Sequence, residues 1–260
     1  MVDFQKKDRY TLDDLLTIMA ILRSPGGCPW DREQTHRSVR ANFIEETYEA
    51  VEAIDTDNAQ LLEEELGDVL LQVVLHARME EEAGRFSFAD VVNGVARKLV
   101  LRHPHVFGDV TVSDTGQVLD NWDAIKKQSK NQQTTAEVLK SVSPALPALM
   151  RSDKLQKKAE KALGAPAGQA GAAADSALQK AEAAAADGTP EEKKQTAGDL
   201  LFACVGLLRR MGQEPEEALY QANERFIRRF EEAENAASLR GAAERELSSQ
   251  EKDRIWQPEE

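Results

Sequence analysis

The sequence has little that builds sheets, spans membranes or crosslinks chains. Apolar and polar residues seldom alternate with a period of two, which argues against a β-sheet protein. Glycine (15) and proline (9) are few among 260 residues, so little of the chain is closed to helix. The two cysteines, Cys28 and Cys204, stand far apart and match no metal-ligand spacing. They read as reduced thiols, and a cytoplasmic location is expected. The longest apolar run, residues 69–77, is interrupted by Gln72 and His76 and is too short to cross a bilayer. The first ten residues, MVDFQKKDRY, contain no apolar signal region. Positive charge is in deficit: 33 Lys and Arg face 46 Asp and Glu, a net charge of −13. Non-specific binding to a nucleic-acid polymer needs cations against phosphates, so neither that partner nor a membrane is expected. A free nucleotide held through metal ions stays open.

What remains is rich in Ala, Leu, Glu, Lys and Gln, the good helix formers, and predicts an all-α fold. A first helix is expected over about 11–23, opened by Thr11 with Asp14, and SPGGCPWD (24–31) is expected to be a loop. Helices follow over about 38–54 and 59–83, the latter stopped by Gly84. Ser87 with Asp90 opens another that runs to about 102; after a loop over 103–110, a fifth spans 115–129. The polar stretch 128–135 reads as a linker, and structure reopens at Ser143-Pro144 and Pro147 with a helix to about 163. GAPAGQAG (164–171) reads as a small-residue hinge before helices to 186, over 190–211 and over 215–239. Residues 66–71 (LGDVLL) recur as 197–202 (AGDLLF), which suggests two related helical units. The expected organisation is a first helical domain over 1–130, a linker over 131–142 and a second domain over 143–260.

Two acidic couples carry the chemistry, Glu46-x-x-Glu49 and Glu65-x-x-Asp68, on successive predicted helices. Residues three apart share a helix face, so each couple aims two carboxylates at one point and two facing helices gather four. Four anions that close cannot stay ionised without cations among them. Mg²⁺ takes hard oxygen ligands and keeps positions for water and phosphate, which makes it the expected cation. A charge run is ordinarily a solvated face, but helical geometry argues otherwise here. At about 100° per residue, Val39, Phe43, Ala50 and Ile54 fall in one apolar arc that includes Glu46. Glu49 sits at its edge, with Glu45 and Glu52 further round. Asp68 opens VLLQVVL, apolar on nearly every side and so expected to be buried. An inward carboxylate is costly unless paired or metal-bound.

The competing reading is a buried ion-pair network in which Lys98 and Arg102, four residues apart, answer the acids. Two cations against four acids leave the cluster short of neutrality, which favours metal. The same basic pair suits phosphate oxygens, Arg102 through its fork and Lys98 as a point charge; a solvated helix end is the alternative. His103 and His105 lack further nitrogen or sulfur ligands placed for zinc and read as loop or supporting residues. Trp30, in a loop, either stacks on a base or anchors that loop to the core. Trp122, one turn before Lys126, reads as core packing.

Several segments together resemble the two-domain MazG-type nucleoside triphosphate pyrophosphohydrolases, over nearly the whole chain. They are GCPWDREQT (27–35), EETYE (45–49), EELGDVLLQVV (64–74), EEAGRFSF (81–88), RHPHVFGD (102–109), LPALMRSDKLQKKA (146–159), GDLLF (198–202) and ANERFIRRFEE (222–232). The resemblance implies an all-α, Mg²⁺-dependent enzyme, with Mn²⁺ as the substitute ion, that forms homodimers. Its substrates are nucleoside triphosphates, cut to the monophosphate and pyrophosphate. It makes Glu46, Glu49, Glu65 and Asp68 the metal ligands and Glu45 an outer carboxylate that orients water; these five are the expected catalytic set. It matches Lys98 and Arg102 with phosphate-contacting residues, and Trp122 and Lys126 with a Trp and Lys that close over the nucleotide.

The second unit departs from the family pattern. Its first acidic couple is reduced to Asp175 and Glu182, not at the ExxE spacing, and its second to Thr196 and Asp199. That unit is expected to bind metal poorly and to be catalytically silent, with Arg225 and Arg229 left for nucleotide. The expected chemistry in the first unit is in-line attack of an activated water, with Lys98 and Arg102 offsetting charge on the departing pyrophosphate. Two rivals stand beside it. One is a non-catalytic helical scaffold or regulator that binds nucleotides; the other is a related all-α enzyme acting on dUTP or phosphoribosyl-ATP.

Overall fold

A computed structural model describes residues 4–129, 132–164, 170–239 and 247–256, and among these every regular element is helical. The chain divides into two compact units, residues 1–126 and 127–260. The first holds α1 (Leu12–Arg23), α2 (Pro29–Glu33), α3 (Arg40–Asp55), α4 (Ala59–Glu82), α5 (Phe88–Arg102) and α6 (Pro104–Phe107). After α7 (Thr115–Ser129), the second holds α8 (Thr135–Lys140), α9 (Ala148–Leu163), α10 (Ala170–Asp187), α11 (Pro190–Arg210), α12 (Pro215–Leu239) and α13 (Ser249–Trp256). Among the described residues no helix is long and apolar enough to cross a membrane.

Local sequence accounts for the boundaries. Capping boxes open α1, α5, α8 and α11, pairing Thr11 with Asp14, Ser87 with Asp90, Thr134 with Glu137 and Thr189 with Glu192, and Ser248 with Glu251 makes the same reciprocal pair before α13. Gly84 closes α4 with φ at +68°, a conformation that side chains with a Cβ adopt at a cost. Two expectations need correction. The loop over 24–31 gives way at Pro29 to the short α2, because proline at the first helical position is preset for helix. The loop after α5 likewise contains α6, which starts at Pro104. The expected linker over 131–142 includes the short α8, opened by its own capping box. Most of the expected hinge over 164–171 lies outside the described residues.

In the first unit Met19, Val39, Val74, Leu75 and Met79 form the core, with Leu15, Leu16, Leu71 and Phe88 packed against it. Val74 is 1% exposed; truncating it to alanine removes two buried methyl groups and is expected to cost roughly 1–2 kcal/mol. The α3 face that packs on α4 is narrower than the arc drawn from the sequence. Ala50 and Ala53 are buried, but Phe43 and Ile54 are exposed, as are Ile44, Tyr48 and Val51. VLLQVVL is buried only in part: Val74 and Leu75 are inside, whereas Leu70 faces outward. Val92, Val95 and Leu99 on α5 are also exposed. In the second unit α11 packs against α9, α10 and α12, with Val205 fully buried.

Candidate metal and nucleotide site

α3 and α4 are joined through Thr56, Asp57 and Asn58, and the Asn58 side chain caps α4 by accepting from the Leu61 amide at 3.2 Å. This short connection turns the chain back on itself about Asp57, the one non-glycine described with positive φ, at +50°. Glu49 and Glu65 then lie equally far before and after the turn, and so do Glu46 and Asp68. The hairpin therefore sets the two acidic couples face to face. Side-chain oxygens of Glu46, Glu49 and Glu65 all lie within 4.8 Å of one another. Glu65 is the most buried of them at 9% exposure; Glu46 is half-buried and Glu49 exposed. Asp68, half-buried, lies outside that trio of oxygens, although its charge acts on both Glu46 and Glu65. Glu45 is exposed.

Burial pushes the Glu46 carboxyl above its ordinary range, with the charges of Asp68 and Glu49 adding to it. Burial also raises Glu65, followed by Glu49 and Asp68. Among the described residues no Lys or Arg pairs with any of the four acids, so the ion-pair network with Lys98 and Arg102 is not formed. The donor set is all carboxylate oxygen, which fits a hard divalent cation.

The basic and aromatic residues form a second group. The Arg102 guanidinium lies 5.0 Å from the centre of the Trp122 ring, and His103 meets the same indole edge-on at 5.0 Å. Arg102 Nε and His105 Nδ1 are buried without a partner among the described residues. Trp122 is thus half-buried in a polar and aromatic cluster, not core packing. Lys98 is exposed one turn before Arg102, and Lys126 is half-buried. Trp30 is 61% exposed, so the indole does not anchor its loop. Arg23 does so instead: it donates to the Asp31 and Gln34 carbonyls and pairs with Glu82 at 2.9 Å.

One constellation escaped the sequence reading. His36 and His76 meet Nδ1 to Nδ1 at 2.7 Å, with centroids 5.0 Å apart and planes 4° apart. Those values place the rings edge to edge in one plane. His36 Nε2 faces Glu80, which Arg85 grips with both nitrogens of its fork. The network assigns the tautomers: His36 donates to Glu80 through Nε2 and accepts at Nδ1 from His76. Arg85, then His36, holds the Glu80 carboxyl down at about 2; burial and His36 lower His76. With Phe43, Phe86 and Val91, the residues His36, His76 and Glu80 line a hollow of about 460 Å³. The available signal was the recurrence of Asp68, Gln72, His76 and Glu80 every fourth residue on α4.

The second unit has no comparable acidic group among the described residues. Asp175, Glu182 and Asp199 are exposed, and the Thr196 hydroxyl donates to the Glu192 carbonyl at 2.8 Å. Its half-buried acids carry a cation of their own: Arg209 pairs with Asp153 at 2.8 Å and Glu160 at 2.6 Å. Arg229 donates to the Ile255 carbonyl and lies 5.9 Å from the Phe226 ring, which in turn packs on Trp256.

Comparison with known proteins gives a consistent picture. Residues 34–107 match the model of the MazG nucleotide pyrophosphohydrolase domain. The chain is 39% identical over 253 residues to the nucleoside triphosphate pyrophosphohydrolase of Escherichia coli (strain K12), covering 95% of each chain. It is 38% identical over 248 residues to the nucleoside triphosphate pyrophosphohydrolase/pyrophosphatase MazG of Thermotoga maritima, covering 94% of each. It is 43% identical over 243 residues to the uncharacterized protein YabN of Bacillus subtilis, covering 92% of this chain and 50% of that one.

Proposed function

Because the chain belongs to the MazG nucleotide pyrophosphohydrolase family, we propose that its first unit hydrolyses nucleoside triphosphates to the monophosphate and pyrophosphate, using Mg²⁺ held by Glu46, Glu49, Glu65 and Asp68. The observation that carries this reading is the convergence of carboxylates from α3 and α4 with no Lys or Arg of the described residues paired to them. When bound, a divalent cation supplies phosphate polarisation and a lowered pKa for water. The chain's own residues do the rest. Glu46, Glu49 and Glu65 fix the position of positive charge, and Glu45, exposed and next to Glu46 in the chain, orients the attacking water. Lys98 and Arg102 bind oxygens of the departing pyrophosphate, with the guanidinium held over Trp122. Trp30 and Lys126 complete the nucleotide contacts.

The second unit binds nucleotide without turnover in this reading, since Thr196 offers its hydroxyl to the backbone and not to a metal. The protein acts as a homodimer that covers the exposed apolar residues of α3 and α5, and it works in the cytoplasm. Incubating the full chain with ATP, GTP, CTP, UTP, dUTP and phosphoribosyl-ATP, with and without Mg²⁺, tests the proposal. Monophosphate and pyrophosphate are the expected products. Diphosphate and orthophosphate would overturn the choice of bond. Nucleotide binding without Mg²⁺-dependent products would point to the scaffold reading.

A further inference from the structure

Gln72 stands on the inner stripe of α4, one turn beyond Asp68 and one turn before His76. It is 6% exposed, in a stretch otherwise made of Val and Leu. Its amide nitrogen donates to Glu46 Oε1 at 3.4 Å. Its carbonyl Oε1 is buried with no partner among the described residues. His76 does not supply the missing donor: its Nδ1–H is engaged with His36, and in that tautomer its Nε2 carries no proton. A buried acceptor left unmade is destabilising, and an apolar residue of the same length would avoid it. The carbonyl is therefore placed for a donor that the described residues do not supply.

We propose that Gln72 is a positioning residue of the cation site: its amide holds the Glu46 carboxylate toward Glu49 and Glu65, and its carbonyl accepts an O–H from water that enters with the cation. The inference rests on the reading of the acidic cluster as a divalent-cation site. Mg²⁺ and Mn²⁺ enter protein sites with part of their hydration shell, so the donor arrives with the ion. Side chains that orient ligands in this way typically alter metal affinity by ~10–100-fold.

The test is titration of the full chain with Mn²⁺ alone, followed by electron paramagnetic resonance, for the parent and Gln72→Met. Methionine keeps the length and volume and removes both polar ends. The expected result is a ~10–100-fold weaker Mn²⁺ dissociation constant, with a metal-free melting temperature equal to or above the parent's, because the orphaned carbonyl is gone. At saturating Mg²⁺, kcat should return to within about threefold of the parent, as expected of a residue that acts through Glu46. Mn²⁺ affinity within twofold of the parent would overturn the proposal. So would a metal-free melting temperature that falls together with the affinity, which marks a merely structural role. Gln72→Leu provides the same reading should the methionine variant not fold. A parent that takes up no Mn²⁺ would overturn the cation site itself, whereas a binding parent with an unaffected variant removes only Gln72.

Discussion

Replacing Glu46 by glutamine tests whether a divalent cation relieves repulsion among the acids. Glu46 feels Asp68 and Glu49, and Glu65 in turn feels Glu46. Glutamine keeps the shape and removes one charge. A carboxyl raised on folding contributes stability that is complete below its ordinary value of 4.5 and is lost as pH climbs through the folded value. At about pH 7.5 the ionised cluster therefore strains the metal-free parent, and Glu46→Gln should melt above it. With cation present the order reverses. An ion at ~100 times its dissociation constant stabilises by about 2.7 kcal/mol. The first unit spans residues 1–126; for a domain of that size each kcal/mol moves the midpoint by roughly 3–4 °C, so the parent should gain about 8–10 °C. If losing one ligand weakens binding ~100-fold, the ion sits near its dissociation constant and adds only about 0.4 kcal/mol, or 1–2 °C. Scanning calorimetry of both proteins, with EDTA and with MgCl₂, reads all four midpoints. A variant that melts below the parent without metal, or gains as much as the parent with it, refutes the reasoning.

Three further outcomes are expected. Arg85→Gln releases Glu80, whose depressed carboxyl contributes stability that is complete above 4.5 and lost as pH falls toward about 2. The gap between parent and variant in urea unfolding should accordingly be full at neutral pH and close on acidification; a gap that widens contradicts the assignment. Arg209→Leu leaves Asp153 and Glu160 without their cation and should lower stability by roughly 1–3 kcal/mol, read by urea unfolding; an unchanged midpoint counts against the pair. Trp122→Ala removes the surface under Arg102, an interaction of about 0.5–2 kcal/mol. The KM for nucleoside triphosphates should rise ~2–30-fold with kcat nearly unchanged, and an unaltered KM takes Trp122 out of the site.

The long helices were legible because they carry their own punctuation. Thr11 with Asp14 and Ser87 with Asp90 form the boxes their spacing announces, and Pro190 and Pro215 open α11 and α12. The short helices were less so, since Pro29 and Pro104 serve equally as loop residues and as helix starts until packing decides. The acidic couples were legible from spacing because three residues nearly complete a turn and the intervening hairpin is symmetric about Asp57. How deep each acid lies was not. Periodicity gave Glu46 and Asp68 as the inward pair, but depth depends on how closely α3 and α4 approach, and Glu65 is the most enclosed. The exposure of Phe43 and Ile54 has a similar origin, because a periodic pattern records apolar faces without saying whether this chain covers them. The His36 and His76 contact joins residues forty apart and left no local trace beyond the stripe on α4.

Arg209 gives the two halves of the molecule different dependence on their surroundings. Its guanidinium is a counter-ion tethered by covalent bonds: it is always at hand, cannot be exchanged and answers to no supply. The carboxylates of α3 and α4, on the proposed reading, would draw theirs from the medium. If α3 and α4 hold a divalent ion as proposed, its scarcity would soften the first unit and leave the second intact, so that the same polypeptide would lose turnover before it loses its fold.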